Sequence, residues 1–302
     1  MNCRSRAALM PVLALALAAC GGGGGGINPT AAAVTSFSVG AAQVGQPLLI
    51  TLEGRNLDKP VSVSASGCLG LALSSTEPHA STATTAYYQC TPYLAGALQF
   101  TAVRSSDSVL MATVPFTVPV PQVTLTVSNG AGVGGDVMIT LEPNKTPQTV
   151  LNFLSYVNAG FYVDTVFHRV IPGFIVQGGG YARSLVPGGT VPDLKATNAP
   201  IPLEDNAGLS NLKGTIAMAR SNVLNSATSQ FFINLKDNTD LDSTATARGY
   251  AVFGSVSAGA DVVAAMGTAP CSAWVEFFGS GDDPTVCLPT PNLVVTAASQ
   301  TR

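Results

Sequence analysis

The segment Phe167–Gly180 (FHRVIPGFIVQGGG) holds the residues best suited to chemistry. It places a single arginine, Arg169, among aromatic and aliphatic residues, and Gln177 and three glycines follow. A guanidinium stays charged and presents a rigid fork of hydrogen-bond donors. The segment can therefore offer a fixed cationic donor beside an apolar surface, a device that stabilises a transition state without a nucleophile or a metal.

Other common site patterns are absent or lie in the wrong context. The chain has two histidines, His79 and His168, and no Cys-x-x-Cys pair, so we expect no zinc site. The Gly-x-Gly-x-x-Gly spacing at 130–135 matches a dinucleotide fingerprint, but the strand-like run Val137–Leu141 follows where a helix is required. The net charge of −3 gives no basic footprint for nucleic acid.

The length of 302 residues favours two folded units and a targeting segment. Residues 31–118 show short β-rich runs separated by turn signals, and no helical period. These runs are Val34–Val39, Leu48–Leu52, Val61–Ala65, Thr84–Gln89, Leu98–Val103 and Leu110–Val118. They predict a β-sandwich that resembles immunoglobulin-like modules in architecture only, because the expected Trp between the two cysteines is missing.

Residues 119–302 read as strands with two packed helices. Thr146 can cap the first helix, Pro147 suits its first position and Gly160 can end it. A second, shorter helix is predicted at Asp261–Met266. The first helix carries one apolar stripe: Val150, Phe153, Leu154 and Val157. The chain is therefore predicted to be mainly β, with the second unit a barrel or sheet.

Residues 1–19 resemble a secretory signal, with a positively charged start and a short apolar stretch. The tetrapeptide at 17–20 resembles a bacterial lipobox ending in Cys20, and the glycine-rich segment 20–30 would be a flexible tether. An ordinary cleavage site with an incidental cysteine is the alternative. We expect a lipid anchor on Cys20 and a place in the cell envelope, at the outer membrane, facing the periplasm.

Four cysteines remain once the signal and Cys20 are set aside, and an exported chain favours disulfides over free thiols. Three pairings are possible from sequence. Each half of the chain holds two of the four, so the simplest pairings are Cys68–Cys90 and Cys271–Cys287. Free buried thiols are the alternative.

Four blocks in the second unit closely resemble the cyclophilins, in their bacterial exported form. They are Phe167–Gly180, Gly214–Arg220, Ser226–Asn234 and Gly249–Gly254, and the resemblance extends over roughly 121–300. It implies a closed β-barrel capped by two helices, peptidyl-prolyl cis/trans isomerase activity and no cofactor. A cyclophilin-like fold without an active pocket is the alternative.

The resemblance also assigns roles to individual residues. Arg169 matches the essential arginine, which would donate to the nitrogen of the twisted proline amide, and Gln177 and Phe174 complete the catalytic set. Arg220 stands where the family often has Asn, and Asp240 where it often has Trp. The substrate-binding residues would be Ile175, Ala219, Arg220, Gln230, Phe232, Leu241 and Tyr250.

Two functions are consistent with these residues. In the first, the chain is an isomerase that speeds proline-limited folding of exported proteins. In the second, it is a chaperone or scaffold lipoprotein that grips proline segments with little turnover. Both imply the same partners, which are proline-containing, unfolded or partly folded exported proteins and a membrane reached through the lipid anchor.

Overall fold

The computed structural model describes residues 15–16, 30–75, 78–183, 194–273 and 287–302. The chain divides into two compact units, Met1–Pro119 and Val120–Arg302. Cys20 and nearly all of the predicted signal lie outside the described residues, as does Trp274. Among the described helices, none combines the length and the apolar character needed to cross a membrane.

The first unit is built from two antiparallel sheets. One has five strands in the order β1-β2-β3-β6-β5, and the other has three in the order β4-β7-β8. The strands are β1 (Leu15–Ala16), β2 (Ala33–Val39), β3 (Leu48–Arg55), β4 (Val61–Ala65), β5 (Cys68–Leu73), β6 (Thr85–Pro92), β7 (Gly96–Arg104) and β8 (Leu110–Val118).

The core of this unit follows from alternation along the strands, because successive side chains of a strand point to opposite faces. Every second residue of β3 is buried from Leu48 to Leu52, and the same holds for β8 from Ala112 to Val118. Tyr88 of one sheet contacts Phe100 of the other, with ring centroids 5.3 Å apart. The two sheets therefore form the predicted β-sandwich.

Among the described strands of this unit, the two-residue β1 and the strand β5 were not predicted, whereas one disulfide was. β5 lies at the edge of its sheet, contains Gly70 at φ 64° and has a register shift between Leu69 and Ala72. A glycine and a bulge remove the alternation on which a sequence prediction depends. The predicted Cys68–Cys90 disulfide is present and joins β5 to its neighbour β6.

The second unit contains a closed barrel of eight strands. The ring runs β9-β10-β15-β13-β14-β12-β11-β18 and returns to β9, and the short pair β16-β17 extends from β11. The strands are β9 (Gln122–Ser128), β10 (Gly134–Leu141), β11 (Thr165–Ile171), β12 (Ile175–Ala182), β13 (Thr215–Met218), β14 (Phe231–Asn234), β15 (Val252–Ala258), β16 (Cys271–Ala273), β17 (Cys287–Pro289) and β18 (Leu293–Gln300).

In the described part of this unit, two α-helices pack on the barrel, α1 (Pro147–Asn158) and α2 (Ala260–Met266). The predicted apolar stripe of α1 is fully buried, and Phe153 packs against Phe231 and Phe253 with centroid distances of 5.5 and 5.1 Å. Burial of this stripe, and not helix propensity, holds a twelve-residue helix in place.

Thr146 lies at the N-cap position of α1, as predicted, but its side chain does not cap the helix. The hydroxyl of Thr146 donates to the carbonyl of Glu142 and makes no capping bond. Instead, the carboxylate of Glu204 accepts from the amides of Gln148 and Thr149, at 3.3 and 2.8 Å. An acidic side chain from a distant loop can replace a local cap, because the first turn of a helix offers several free amides and the positive end of its dipole.

The second predicted disulfide falls partly outside the described residues. Cys271 is disulfide-bonded, and β16 pairs with β17 so that Ala273 lies opposite Cys287. The side chain of Cys287 is not among the described ones, so the Cys271–Cys287 pairing stays a prediction.

Candidate active site

Arg169 is held by a chain of side-chain hydrogen bonds. β11 and β12 are antiparallel neighbours, and Arg169 lies opposite Gln177 in their register. The guanidinium donates through Nη1 to Oε1 of Gln177 at 3.1 Å, and Nε2 of Gln177 donates to Oε1 of Gln230 at 3.1 Å. Because each amide is oriented by the next, the arginine head is fixed in one position before a ligand arrives.

Glycines on β12 allow Gln230 to approach this chain. A Cβ added at Gly180 would lie 2.7 Å from the side chain of Gln230, and one at Gly178 would lie 2.9 Å from Phe167. Gly179 has φ 84°, a region that other residues rarely adopt. The three glycines after Gln177 are thus required by close contact and backbone shape.

An apolar pocket lies beside the arginine. Its centre is a cluster of buried residues from four neighbouring strands, Ile175, Ala217, Phe232 and Val252. Register explains the grouping, because Phe232 lies opposite Gln177 on one side and Ala217 on the other. Further residues pack against this cluster from loops and strand ends: Ile171, Phe174, Leu209, Ala219, Leu241 and Tyr250.

Pocket and arginine share one groove of about 400 Å³. Nine of the ten residues singled out from sequence line it: Arg169, Phe174, Ile175, Gln177, Ala219, Arg220, Phe232, Leu241 and Tyr250. The tenth, Gln230, reaches the groove through its bond to Gln177, and its backbone carbonyl accepts from the amide of Ala219 at 3.0 Å. The structure thus brings together every predicted catalytic and substrate-binding residue.

Arg220 forms one wall of the groove. Its guanidinium lies over the ring of Tyr250, with Cζ 4.7 Å from the centroid. Nε and Nη2 donate to the carbonyl of Gly249, each at 3.1 Å, and Nη2 also donates to the carbonyl of Arg248 at 3.0 Å. Tyr250 in turn meets the edge of Phe232 in the pocket, with centroids 5.5 Å apart.

The turn before Tyr250 is fixed by a buried carboxylate. Asp205 accepts hydrogen bonds from the guanidinium of Arg248, the hydroxyl of Ser243 and the amide of Gly249. Burial alone would raise the pKa of Asp205, but these hydrogen bonds and the charge of Arg248 lower it to about 2. Asp205 therefore stays ionised and anchors the loop that carries Tyr250.

His168 precedes Arg169 but does not enter the groove. It is fully buried against Tyr181, with ring centroids 4.6 Å apart. Burial, together with the charge of Arg169, lowers the pKa of His168 to about 3. A neutral imidazole on the inner side of β11 packs in the core and is unsuited to acid–base chemistry at neutral pH.

Some residues around the groove were missed from sequence. Alternation along the strands could have found Ala217, two residues before Ala219, and Val252, two residues after Tyr250. No comparable signal marks Leu209 or Asp205, because both lie in a loop that meets the groove only through the fold. Their roles required the structure.

Comparison with known proteins shows similarity to part of this chain. A profile of the family described as cyclophilin type peptidyl-prolyl cis-trans isomerase/CLD matches residues 123–279, slightly more than half of the chain. The chain belongs to this family. Its second unit is a cyclophilin-type peptidyl-prolyl cis-trans isomerase domain.

Individual relatives agree with this assignment. The chain is 51% identical over 128 residues to peptidyl-prolyl cis-trans isomerase A of Dickeya dadantii, which is 42% of this chain and 64% of that protein. It is 47% identical over 132 residues to peptidyl-prolyl cis-trans isomerase B of Escherichia coli, which is 43% of this chain and 76% of that protein.

One solved structure is also similar to this chain. It is a crystal structure of a Cryptosporidium parvum cyclophilin type peptidyl-prolyl cis-trans isomerase in the presence of the dipeptide Ala-Pro. The match has a TM-score of 0.44 at 20% identity and covers 60% of this chain and 99% of the other.

Proposed function

We propose that this protein accelerates rotation of X–Pro bonds in exported polypeptides, with Arg169 donating to the amide nitrogen of a proline seated in the apolar pocket. The observation that carries the proposal is the convergence of Arg169, Gln177 and the apolar cluster around Phe232 in one groove. None of these groups is a nucleophile or a metal ligand, and rotation of an amide needs neither.

The reaction sets the energy that the groove has to supply. Rotation about a peptide bond faces a barrier of about 18–20 kcal/mol, because the twisted amide gives up conjugation. Uncatalysed X–Pro isomerisation takes tens to hundreds of seconds. A rate increase of about 10⁵ requires roughly 7 kcal/mol of stabilisation that acts on the transition state and not on the ground state.

The two sides of the groove match what changes during rotation. In the twisted amide the carbonyl loses dipolar character, and the nitrogen becomes pyramidal with a localised lone pair. The apolar cluster around Phe232 and Ile175 disfavours the planar, dipolar amide. The guanidinium of Arg169 can donate to the nitrogen and stabilise its lone pair. Because the bond to Gln177 already holds the guanidinium in place, little reorganisation is needed during the reaction.

The location is part of the proposal. We infer that Cys20 carries a lipid anchor, that residues 20–30 form a tether, and that the protein faces the periplasm at the outer membrane. The Cys68–Cys90 disulfide supports an oxidising compartment, since such bonds are rare in a reducing cytosol. Radiolabelled palmitate should enter the wild-type protein and not Cys20→Ser, and equal labelling of both would refute the anchor.

The isomerase is distinguished from a proline-binding scaffold by a direct measurement of exchange. The mature protein is added at about one hundredth of the concentration of a proline peptide, and NMR exchange spectroscopy reports interconversion of the cis and trans signals. We expect exchange to become much faster than the uncatalysed rate, in proportion to the protein added. Peptide binding with no gain in exchange rate would overturn the isomerase and leave the scaffold.

A further inference from the structure

The wall of the groove formed by Arg220 carries a positive charge that no described residue neutralises. Its partners are the backbone carbonyls of Ser221, Arg248 and Gly249 and the ring of Tyr250, all of them neutral. Within the described parts of the chain, no carboxylate forms an ion pair with Arg220. The contacts fix the position of the guanidinium and leave its charge available to a ligand.

The remaining lining of the groove reinforces this charge. Among the described residues, the nine that line it include two cations, Arg169 and Arg220, and no carboxylate. Lys236 lies nearby, with Nζ 5.9 Å from the ring centroid of Phe174, but it is exposed, so water and salt screen its charge. Two fixed guanidinium groups on one groove focus a positive potential where a bound peptide would lie.

Nearby acidic residues do not cancel this potential. Asp205 is buried and forms an ion pair with Arg248, which compensates its charge. Asp242 keeps a negative charge, but it does not line the groove, and hydrogen bonds from Ser210 and from the amide of Asn211 hold its carboxylate in place. Asp240 precedes Leu241 but is exposed, where water and salt screen its charge.

We propose that the groove prefers proline segments that carry an acidic side chain directly before or directly after the proline, and that Arg220 determines this preference. The inference rests on the proposed function and names its substrate class. Arg220 is only partly buried, so solvent screens part of its charge and the effect on specificity should be modest. We expect Glu peptides to be favoured over Lys peptides about threefold to tenfold in kcat/KM.

The test uses uncharged-end peptides, acetylated and amidated, with Glu, Gln or Lys placed either directly before or directly after the proline. Catalysed exchange is measured by NMR, which needs no coupled protease. The variants are Arg220→Gln, which removes the charge, Arg220→Lys, which keeps it without the planar fork, and Lys213→Gln as the matched control. Lys213 is exposed and lines a different cavity beside α2, so its removal changes net charge equally.

We expect the wild type to favour Glu over Gln over Lys in at least one peptide series. Arg220→Gln should bring the Glu-to-Lys ratio to within twofold of one, whereas Arg220→Lys and Lys213→Gln should keep at least half of the wild-type ratio. A purely structural Arg220 would lower the rates for all peptides together and leave the ratio unchanged, which would refute the inference.

The two proposals fail differently in this experiment. Wild-type protein without catalysed exchange on any peptide overturns the isomerase. Active wild-type protein with a Glu-to-Lys ratio within twofold of one in both series overturns only the charge preference. If the Glu-to-Lys ratio persists in Arg220→Gln, another cation causes the preference, and the role proposed for Arg220 is refuted.

Discussion

Two neighbouring residues of β11 show how strand geometry separates structure from chemistry. Successive side chains of a strand point to opposite faces, so His168 is buried in the unit while Arg169 is only partly buried and lines the groove. His168 lies against Tyr181, and burial holds it neutral. The alternation that places Arg169 in the groove therefore places His168 in the core.

His168 should make the stability of the second unit depend on pH. Its pKa falls from an ordinary value near 6.5 to about 3 on folding, so the unfolded chain binds an extra proton between these values. The free energy of unfolding should therefore fall as pH is lowered from about 6.5 towards 3, by at most about 1.4 kcal/mol per pH unit from this residue. Urea unfolding of the protein at pH 7, 6, 5 and 4 measures the slope.

The variant His168→Phe serves as the comparison. It removes the titrating group, so its free energy of unfolding should change less between pH 6.5 and pH 4.5 than that of the wild type. Carboxylates such as Asp205, whose pKa is lowered to about 2, contribute mainly below pH 4. Equal slopes in the two proteins above pH 4.5 would show that His168 is not the group responsible.

At the scale of elements, the groove depends on how closely β12 approaches the loop before β14. The glycines of β12 let the amide of Gln230 reach Gln177, and a side chain at Gly180 would occupy the same space as Gln230. A substitution at Gly180, a residue of β12 that does not itself line the groove, can therefore alter the position of Arg169.

Gly180→Ala tests this dependence. The added Cβ would lie 2.7 Å from the side chain of Gln230, so this side chain must move, and we expect its bond to Gln177 to be lost. We expect kcat/KM for a proline peptide to fall about tenfold or more, because a small displacement of a catalytic group commonly costs this much in rate. Gly40→Ala is the matched control, because its Cβ meets only ordinary contacts of 3.4 Å or more in the sandwich unit.

Thermal unfolding of both variants separates positioning from loss of fold. Gly180→Ala should retain a cooperative transition while its activity falls, and Gly40→Ala should retain full activity. If Gly180→Ala is folded and its kcat/KM stays within twofold of the wild type, the close approach of Gln230 is not what fixes Arg169.

At the scale of the whole molecule, the sequence predicted features that repeat or cluster and missed those that depend on a single distant contact. The four cyclophilin-like blocks predicted the barrel, and alternation predicted strands such as Val61–Ala65 and Leu110–Val118 with the observed bounds. The edge strand β5 was missed because Gly70 and a bulge interrupt its pattern.

Long-range polar contacts account for the remaining differences. The cap of α1 comes from Glu204, which is 55 residues from Thr149, and the turn before Tyr250 depends on Asp205. Neither carboxylate lies in a local motif, so only the folded chain shows which amides they meet. Arg220 was placed correctly on the groove, but its packing on Tyr250 also required the structure.

The central claim is that a positioned guanidinium beside an apolar pocket lowers the barrier to X–Pro rotation. Its most direct test is kcat/KM for a proline peptide in wild type, Arg169→Ala and Arg169→Lys, with peptide affinity measured in parallel. In both variants kcat/KM should fall about a hundredfold, equivalent to about 2.7 kcal/mol, while peptide affinity changes only a few fold. Lysine should not restore activity, because it keeps the charge but lacks the planar fork of donors. Arg169→Ala with kcat/KM within threefold of the wild type would contradict the account.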